Sequence, residues 1–271
     1  PYINGTGSFI FESTGSAFGQ AVDTSLFVYN NDAQSLTGFR FGKSTNTYGI
    51  TVGSSISIAG DINILAPQST ANITINSGVS LTATGNNRTI VLAAGGNFIN
   101  NSGSSALVAS GTGSRWIVYS ANDNTTSYFG SLNSNNTPIW SSTYSSLAPA
   151  SVSSGNRYVF AESNLTTATF TTTNASKTYG DSIDLSGNYS LATGSIPALA
   201  NVYNITPAGS NLDLSAVFSS NPTITSSGSA TSANAGDYQI LVNIGNQGTP
   251  LDGFTVSFVA VSYTHLRAHE T

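Results

Sequence analysis

Cysteine and methionine are both absent from this 271-residue chain. Without a thiol there is no disulfide framework and no thiolate chemistry. Charge is scarce too. The 12 acidic and 7 basic side chains make up 7% of the residues and leave a net charge of −5, where an average soluble domain carries about 25% charged residues. So few lysines and arginines, in an acidic chain, argue against nucleic acid as a partner, because phosphates call for clustered cations. No apolar run approaches the roughly 18 residues of a spanning helix, so no membrane-spanning segment is expected. The hydrophobic share of 39% is too high for disorder, which pairs low hydrophobicity with high net charge. Helix formers such as Lys, Glu and Gln are few.

What fills the chain instead is Thr, Val, Ile, Tyr and Phe, with Ser, Asn and Gly between them. The first group suits a pleated, half-buried surface and the second suits tight turns, so the expected class is all-β. Ile50-Thr-Val52 and Ile56-Ser-Ile58 are followed by Ile73-Thr-Ile75 and Val79-Ser-Leu81, an apolar-polar-apolar pattern repeating 23 residues on. Ile62-Asn-Ile64 and Ile90-Val-Leu92 supply a third strand per copy. Short strands with tight corners at this period predict a right-handed parallel β-helix over residues 1–113, with Ile50 over Ile73 and Ile56 over Val79. Thr51, Ser57, Thr74 and Ser80 would face water. A β-sandwich with evenly spaced strands is the competing reading. Phe9-Ile-Phe11, Leu26-Phe-Val28 and Phe39-Arg-Phe41 are read as earlier coils.

Residues 114–165 concentrate aromatics, among them Trp116, Tyr119, Tyr128, Phe129, Trp140, Tyr144, Tyr158 and Phe160. Arg115–Tyr119 and Arg157–Phe160 read as strands around an Asn-rich stretch. Two roles are open. A solenoid end exposes core and strand edges and needs a lid. Alternatively, Trp116, Trp140 and Tyr144 form a glycan-stacking platform. Residues 166–260 read as an Ig-like β-sandwich, with strands at Ala168–Thr172, Asp184–Tyr189, Leu214–Phe218, Thr223–Thr225, Tyr238–Ile244 and Phe254–Val259.

The last stretch, Val261 to Thr271, reads VSYTHLRAHET and breaks with everything before it. It resembles the translation of a transposase-type sequencing adapter, so 261–271 is read as an adapter-derived tail and not native. It holds both histidines, His265 and His269, beside Glu270. The zinc-site spacing of that pair is set aside with the tail. The start at Pro1 is expected to lie inside a longer protein, with a signal peptide and secretion domain upstream.

Several runs together resemble one family. Gly95-Gly-Asn-Phe-Ile-Asn-Asn-Ser-Gly103 leads to Gly113-Ser-Arg-Trp-Ile-Val-Tyr119, then Phe129-Gly-Ser-Leu132, then Gly155-Asn-Arg-Tyr-Val-Phe160. This order resembles the end of the β-helix in filamentous haemagglutinin-like exoproteins of two-partner secretion. Ala175-Ser-Lys-Thr-Tyr-Gly-Asp181 resembles the start of an MBG/YDG repeat module, and Ser226 to Tyr238 its later portion. The resemblance implies a secreted adhesin of a Gram-negative cell surface, exported through an outer-membrane β-barrel transporter. Its partners would be a host or neighbouring-cell surface, glycans included. It implies no catalytic residue and no cofactor.

Enzyme chemistry finds little to stand on. The acids of the first 113 residues are Glu12, Asp23, Asp32 and Asp61, while Arg40, Lys43 and Arg88 read as scattered. Asp61 falls at a corner and reads as a turn residue before a catalytic one. Asp181 and Asp184 read as an exposed turn before a calcium site, since calcium takes six to eight oxygens. No P-loop or dinucleotide fingerprint occurs. The expectation is a non-enzymatic rod and spacer with weak multivalent contacts; the alternative is a carbohydrate-active β-helix enzyme or a glycan-binding module.

Overall fold

The computed structural model describes residues 2–3, 5–29, 35–122, 129–162, 166–194, 201–203, 210–243, 245–250, 254–260 and 265–266. Asp32, Tyr128, Ile244, His269 and Glu270 lie outside the described residues. The chain divides into two compact units, one of 1–164 with 196–205, the other of 165–195 with 206–271. The segment 196–205 lies within the span that reads as the sandwich module.

The first unit is a parallel β-solenoid. Its strands run β1 (Tyr2–Ile3), β2 (Ser8–Phe11) and β3 (Val22–Asp23), then β4 (Val28–Tyr29), β5 (Gly38–Gly42) and β6 (Ile50–Val52). Next come β7 (Ile56–Ile58), β8 (Asp61–Ala66) and β9 (Ile73–Ile75), then β10 (Leu81–Ala83), β11 (Thr89–Ala94) and β12 (Phe98–Asn100). β13 (Leu107–Ala109), β14 (Arg115–Ser120) and β15 (Arg157–Phe160) finish it. Like strands of successive coils stack into a six-stranded sheet β15-β14-β11-β8-β5-β2, a sheet β12-β9-β6-β3, a sheet β13-β10-β7 and the pair β1-β4.

Register follows the inward apolar positions. Ile50 lies beside Ile73 and Val52 beside Ile75, and Ile62 beside Ile90 and Ile64 beside Leu92, as the repeat predicts. The second strand of the repeat is corrected. Ile56 pairs with Leu81 and Ile58 with Ala83, so β10 is Leu81–Ala83 and Val79 is a buried corner residue before it. The turn Asn76–Val79, closed by the Val79 N–H to the Asn76 carbonyl at 3.2 Å, takes two residues more than the matching corner. The coils therefore differ in length while the sheets stay in step. Leu26-Phe-Val28 is corrected as well. Thr24–Leu26 is a short 3-10 turn that Asp23 caps by accepting from the Ser25 N–H.

The core is a continuous column. Ile50, Ile56, Ile58, Ile62, Ile64, Ile73, Ile75, Ile90 and Leu92 are all at 0–1% exposure, and each such side chain stabilises by roughly 1.5–3 kcal/mol when fully buried. Corners permit this only where backbones touch. A Cβ on Gly111 would sit 2.0 Å from the Gly85 carbonyl oxygen, and one on Gly85 2.2 Å from that of Ala59. Two buried asparagines fasten neighbouring turns. The Asn100 amide donates to the Gly103 and Phe129 carbonyls and accepts from the Ser102 and Gly103 N–H groups. Asn46 accepts from Phe18 and Tyr48 and donates to the Tyr48 and Leu65 carbonyls.

The second unit is all-β, built from one three-stranded sheet and several two-stranded pairs. β16 (Thr166–Thr172) lies between β17 (Tyr189–Thr193), antiparallel, and a late strand, Phe254–Val259, parallel to it. Between them come β18 (Phe218–Ser220), β19 (Ile224–Thr225), β20 (Gly236–Asp237), β21 (Leu241–Val242) and β22 (Thr249–Pro250). The late strand is β23, and β24 (His265–Leu266) pairs with β20. Phe170 meets Phe218 edge-on across the core, and the Thr172 hydroxyl donates to the Ile240 carbonyl at 2.9 Å. Two expected strands shift. Asp184–Asn188 is a turn preceding β17, and Leu214–Ala216 is a 3-10 turn preceding β18. Among the described residues no helix is long and apolar enough to cross a membrane.

Ile75 is fully buried and Thr74 half-buried on the outer face of the same strand. Ile75→Asp strands a charge between stacked coils and should cost several kcal/mol, enough to unfold a marginal domain. Thr74→Asp should cost less than about 1 kcal/mol. Urea melts followed by circular dichroism separate the two; equal losses would contradict the inward and outward assignment.

Candidate functional site

The outer face of the six-stranded sheet gathers most of the charged chemistry of the first unit. Because the strands are parallel and in register, a residue at one phase of a coil lies beside its counterpart in the next. One outward row runs Arg40, Asn63, Val91, Ile117 and Arg157. A neighbouring row runs from Ser8 to Gly38 to Asp61 and ends with Thr89 beside Arg115. Between the rows lie two shallow depressions. Ser8, Thr37, Arg40, Asp61 and Asn63 are among the residues lining the first, and Asp61, Asn63, Asn87, Thr89, Arg115 and Pro149 among those lining the second. They share Asp61 and Asn63, so they adjoin, and the two together make a trough along the face from β2 to β14 with Asp61 and Asn63 at its middle.

The charged groups on this face tie one coil to the next. Arg40 Nη2 donates to Glu12 Oε2 at 2.6 Å. Asp61 Oδ1 accepts from the Thr89 N–H at 2.8 Å, and its Oδ2 lies 3.9 Å from Arg88 Nη1. Asp61 thus closes the corner of the following coil, which is more than the local turn its sequence position suggests. Arg115 donates to the Pro149, Val152 and Ser153 carbonyls at 2.7–2.9 Å. Arg157 donates to the Ser154 and Thr137 carbonyls. Burial, and then the nearby Arg115 charge, hold the Arg157 guanidinium below its ordinary range. Arg40 and Arg88, scattered along the chain, come to one sheet with Arg115 and Arg157. Arg40, Arg115 and Arg157 each stand next to an inward residue of their strand, the signal by which the sequence could have placed them together, while Arg88 sits in the corner just before β11.

That face also carries a second core, which the sequence reading missed. Leu65, Val91, Ala93, Ile117, Tyr119 and Val159 point outward yet are buried. Val152, Ile139, Tyr144 and Leu147 of the long β14–β15 connection pack over them. The Tyr119 hydroxyl donates to the Leu147 carbonyl at 2.8 Å. The arginine contacts therefore pin a flap of chain onto the sheet. Burial, then the neighbouring Tyr144, push the Tyr119 hydroxyl above its usual range.

The three aromatic candidates separate. Trp116 is 2% exposed and meets Tyr158 edge-on at 5.0 Å; Trp140 is 9% exposed and lies 4.9 Å from Phe160. Phe129 and Tyr203 complete the cluster, Tyr203 packing on Trp140, Tyr158 and Phe160. The segment Asn201–Tyr203 is docked by the Ser134 N–H to the Val202 carbonyl at 2.8 Å. A stacking platform needs open ring faces, and neither indole offers one: both are core side chains of the last coils. Tyr144 is half-buried, edge-on to Tyr119 at 5.4 Å. In the second unit, Asp184 accepts from the Ser186 N–H and hydroxyl, which hold its carboxyl below the usual range. That is the turn expected of it.

Tyr158 is fully buried, donates to the Leu132 carbonyl at 2.8 Å, and burial raises its hydroxyl well above the ordinary value. Unfolded tyrosine ionises near pH 10. The stability this raised group contributes is whole below about pH 10 and is lost as pH climbs through the folded-state value. Alkaline titration at 295 nm should show Tyr158 ionising only with unfolding, and Tyr158→Phe should move the alkaline midpoint upward; an unmoved midpoint contradicts the assignment. Arg115→Gln should release the flap, costing about 1.5–3 kcal/mol for its charged hydrogen bonds and speeding protease cleavage within 137–156. Unchanged cleavage would show that apolar packing alone holds it. No family model, curated protein or solved structure matches the chain.

Proposed function

We propose that this chain is a rod-and-spacer portion of a secreted bacterial surface exoprotein of the filamentous haemagglutinin-like type, making weak, repeated surface contacts. The observation that carries the reading is how the coils spend their polar side chains. Glu12 and Arg40, Lys43 and the Ser13 carbonyl, Asp61 and Thr89, Asn72 and Asn97, and Ser114 and Arg88 each join one coil to the next. Groups so arranged stiffen a stack. A glycoside hydrolase needs two carboxylates flanking one bond; here Glu12 is held by Arg40 and Asp61 by the Thr89 N–H of the next coil. This supports a non-enzymatic role over the carbohydrate-active alternative.

The MBG/YDG-like reading of the second unit rests on the sequence resemblance. The two segments that carry that resemblance meet in space: Lys177 donates to the Asp181 carbonyl and to the Ala230 carbonyl, and the Ile183 N–H to the Ser229 carbonyl. Surface display and export through an outer-membrane β-barrel partner follow from the resemblance. Many weak sites on one fibre bind by avidity, gaining on the order of 10²–10⁴ over one site. Beads bearing many copies of the chain should adhere to host or bacterial cells under conditions where the free chain does not. If no cell, matrix or glycan surface retains the beads, adhesion fails and a spacer role is left.

A further inference from the structure

The chain has 7 basic residues and a net charge of −5, yet Arg40, Arg115 and Arg157 lie on strands of the six-stranded sheet, and a fourth, Arg88, meets Asp61 of that sheet from the corner before β11. The carboxylates they meet there are Glu12 and Asp61. The face is therefore locally cationic on an acidic protein. Arg40 and Arg88 are the accessible pair: their side chains are 39% and 41% exposed, and the Arg88–Asp61 contact is loose at 3.9 Å. Arg40 lines the trough and Arg88 stands beside it against Asp61, while Asn63, Asn87 and Thr89 offer amide and hydroxyl groups. Three strand steps of about 4.8 Å separate the rungs of Arg40 and Arg115, a span of roughly 14 Å.

We propose that this trough binds an extended carboxylated polysaccharide, a uronate-type polymer, laid across the strands. The assignment rests on the surface-contact reading above and gives it a place and a ligand class. Guanidinium groups take carboxylates in forked, charge-assisted hydrogen bonds, and the intervening amides and hydroxyls suit sugar hydroxyls. Other anionic polymers fit less well. Single-stranded nucleic acid needs exposed aromatic rings on which bases stack, and the trough's Phe9 and Phe39 belong to strand positions that face the core. A peptide adding to a sheet needs free backbone groups at an edge, whereas β5, β8, β11 and β14 are all paired on both sides. Glu12 and Asp61 set a limit: they repel a polyanion, so the arginines must be redirected from them in part, which predicts weak binding per site.

The experiment uses the full chain and polygalacturonate, with dextran, dextran sulfate and duplex DNA as comparison polymers. Wild type should bind polygalacturonate but not dextran, and binding should fall with added salt. The double variant Arg40→Gln, Arg88→Gln should weaken it at least tenfold. Its thermal midpoint should stay near that of wild type, since both are exposed pairs; Thr51→Gln, on a different sheet, serves as a second folded control that should bind normally. No binding by wild type, or equal binding by the double variant, overturns the proposal. Dextran sulfate or DNA binding as tightly as polygalacturonate overturns the ligand class, leaving unselective charge. Beads that adhere to cells equally with and without the two arginines would sink this trough while the surface-contact reading stands.

Discussion

Everything in the first unit depends on like residues stacking in register between parallel strands. Ile50 on Ile73 and Ile62 on Ile90 are the repeating unit of that contact. A single coil has too little apolar surface to offset the entropy of ordering some two dozen residues. Each coil is stable because the next one covers it. The requirement reaches outward from the core: corners must let backbones touch, which is why glycine stands at 85 and 111, and turn amides inside the stack must be satisfied, which Asn46 and Asn100 do.

The same stacking decides what the outer surface can be. Register holds both faces of a strand, so once the isoleucines align, the residues between them align too. Arginines far apart in sequence thereby come to one face, and most of the polar side chains there bridge coils. Where the long β14–β15 connection folds back, the outer face becomes a second core, and Arg115 and Arg157 hold the fold-back by its carbonyls. A face that begins polar at β5 and β8 ends apolar and covered at β14 and β15. The uncovered part is where a ligand has room.

Aromatic residues mark both ends of the column, in different states. At the first coils Phe9, Phe11, Phe18, Phe27, Phe39 and Phe41 form a mutual cluster, with Phe9, Phe11 and Phe27 only partly buried. At the last coils Trp116, Phe129, Trp140, Tyr158, Phe160 and Tyr203 are all buried. At the last coils a segment from distant sequence, Asn201–Tyr203, completes the cluster. Such rings bring more buried area per residue than the aliphatic positions they replace.

The sequence by itself determined the all-β class, the solenoid and the inward set. Apolar-polar-apolar triplets at a near-constant offset leave few other ways to bury one face. It also marked β23 at its observed bounds, because Phe254–Val259 is flanked by clear turn signals. What it could not determine was register where corner lengths differ: the sequence offset put Val79 over Ile56, but the corner turn moved Leu81 there. The fate of Trp116 and Trp140 was likewise open, since an aromatic cluster reads the same as a lid or a platform until burial is known. Tertiary structure decided these, along with the flap and the gathering of four arginines at one sheet. The reason is physical. Local pattern sets which side of a strand is apolar, while the partner across each face is chosen by contacts between residues one coil or more apart.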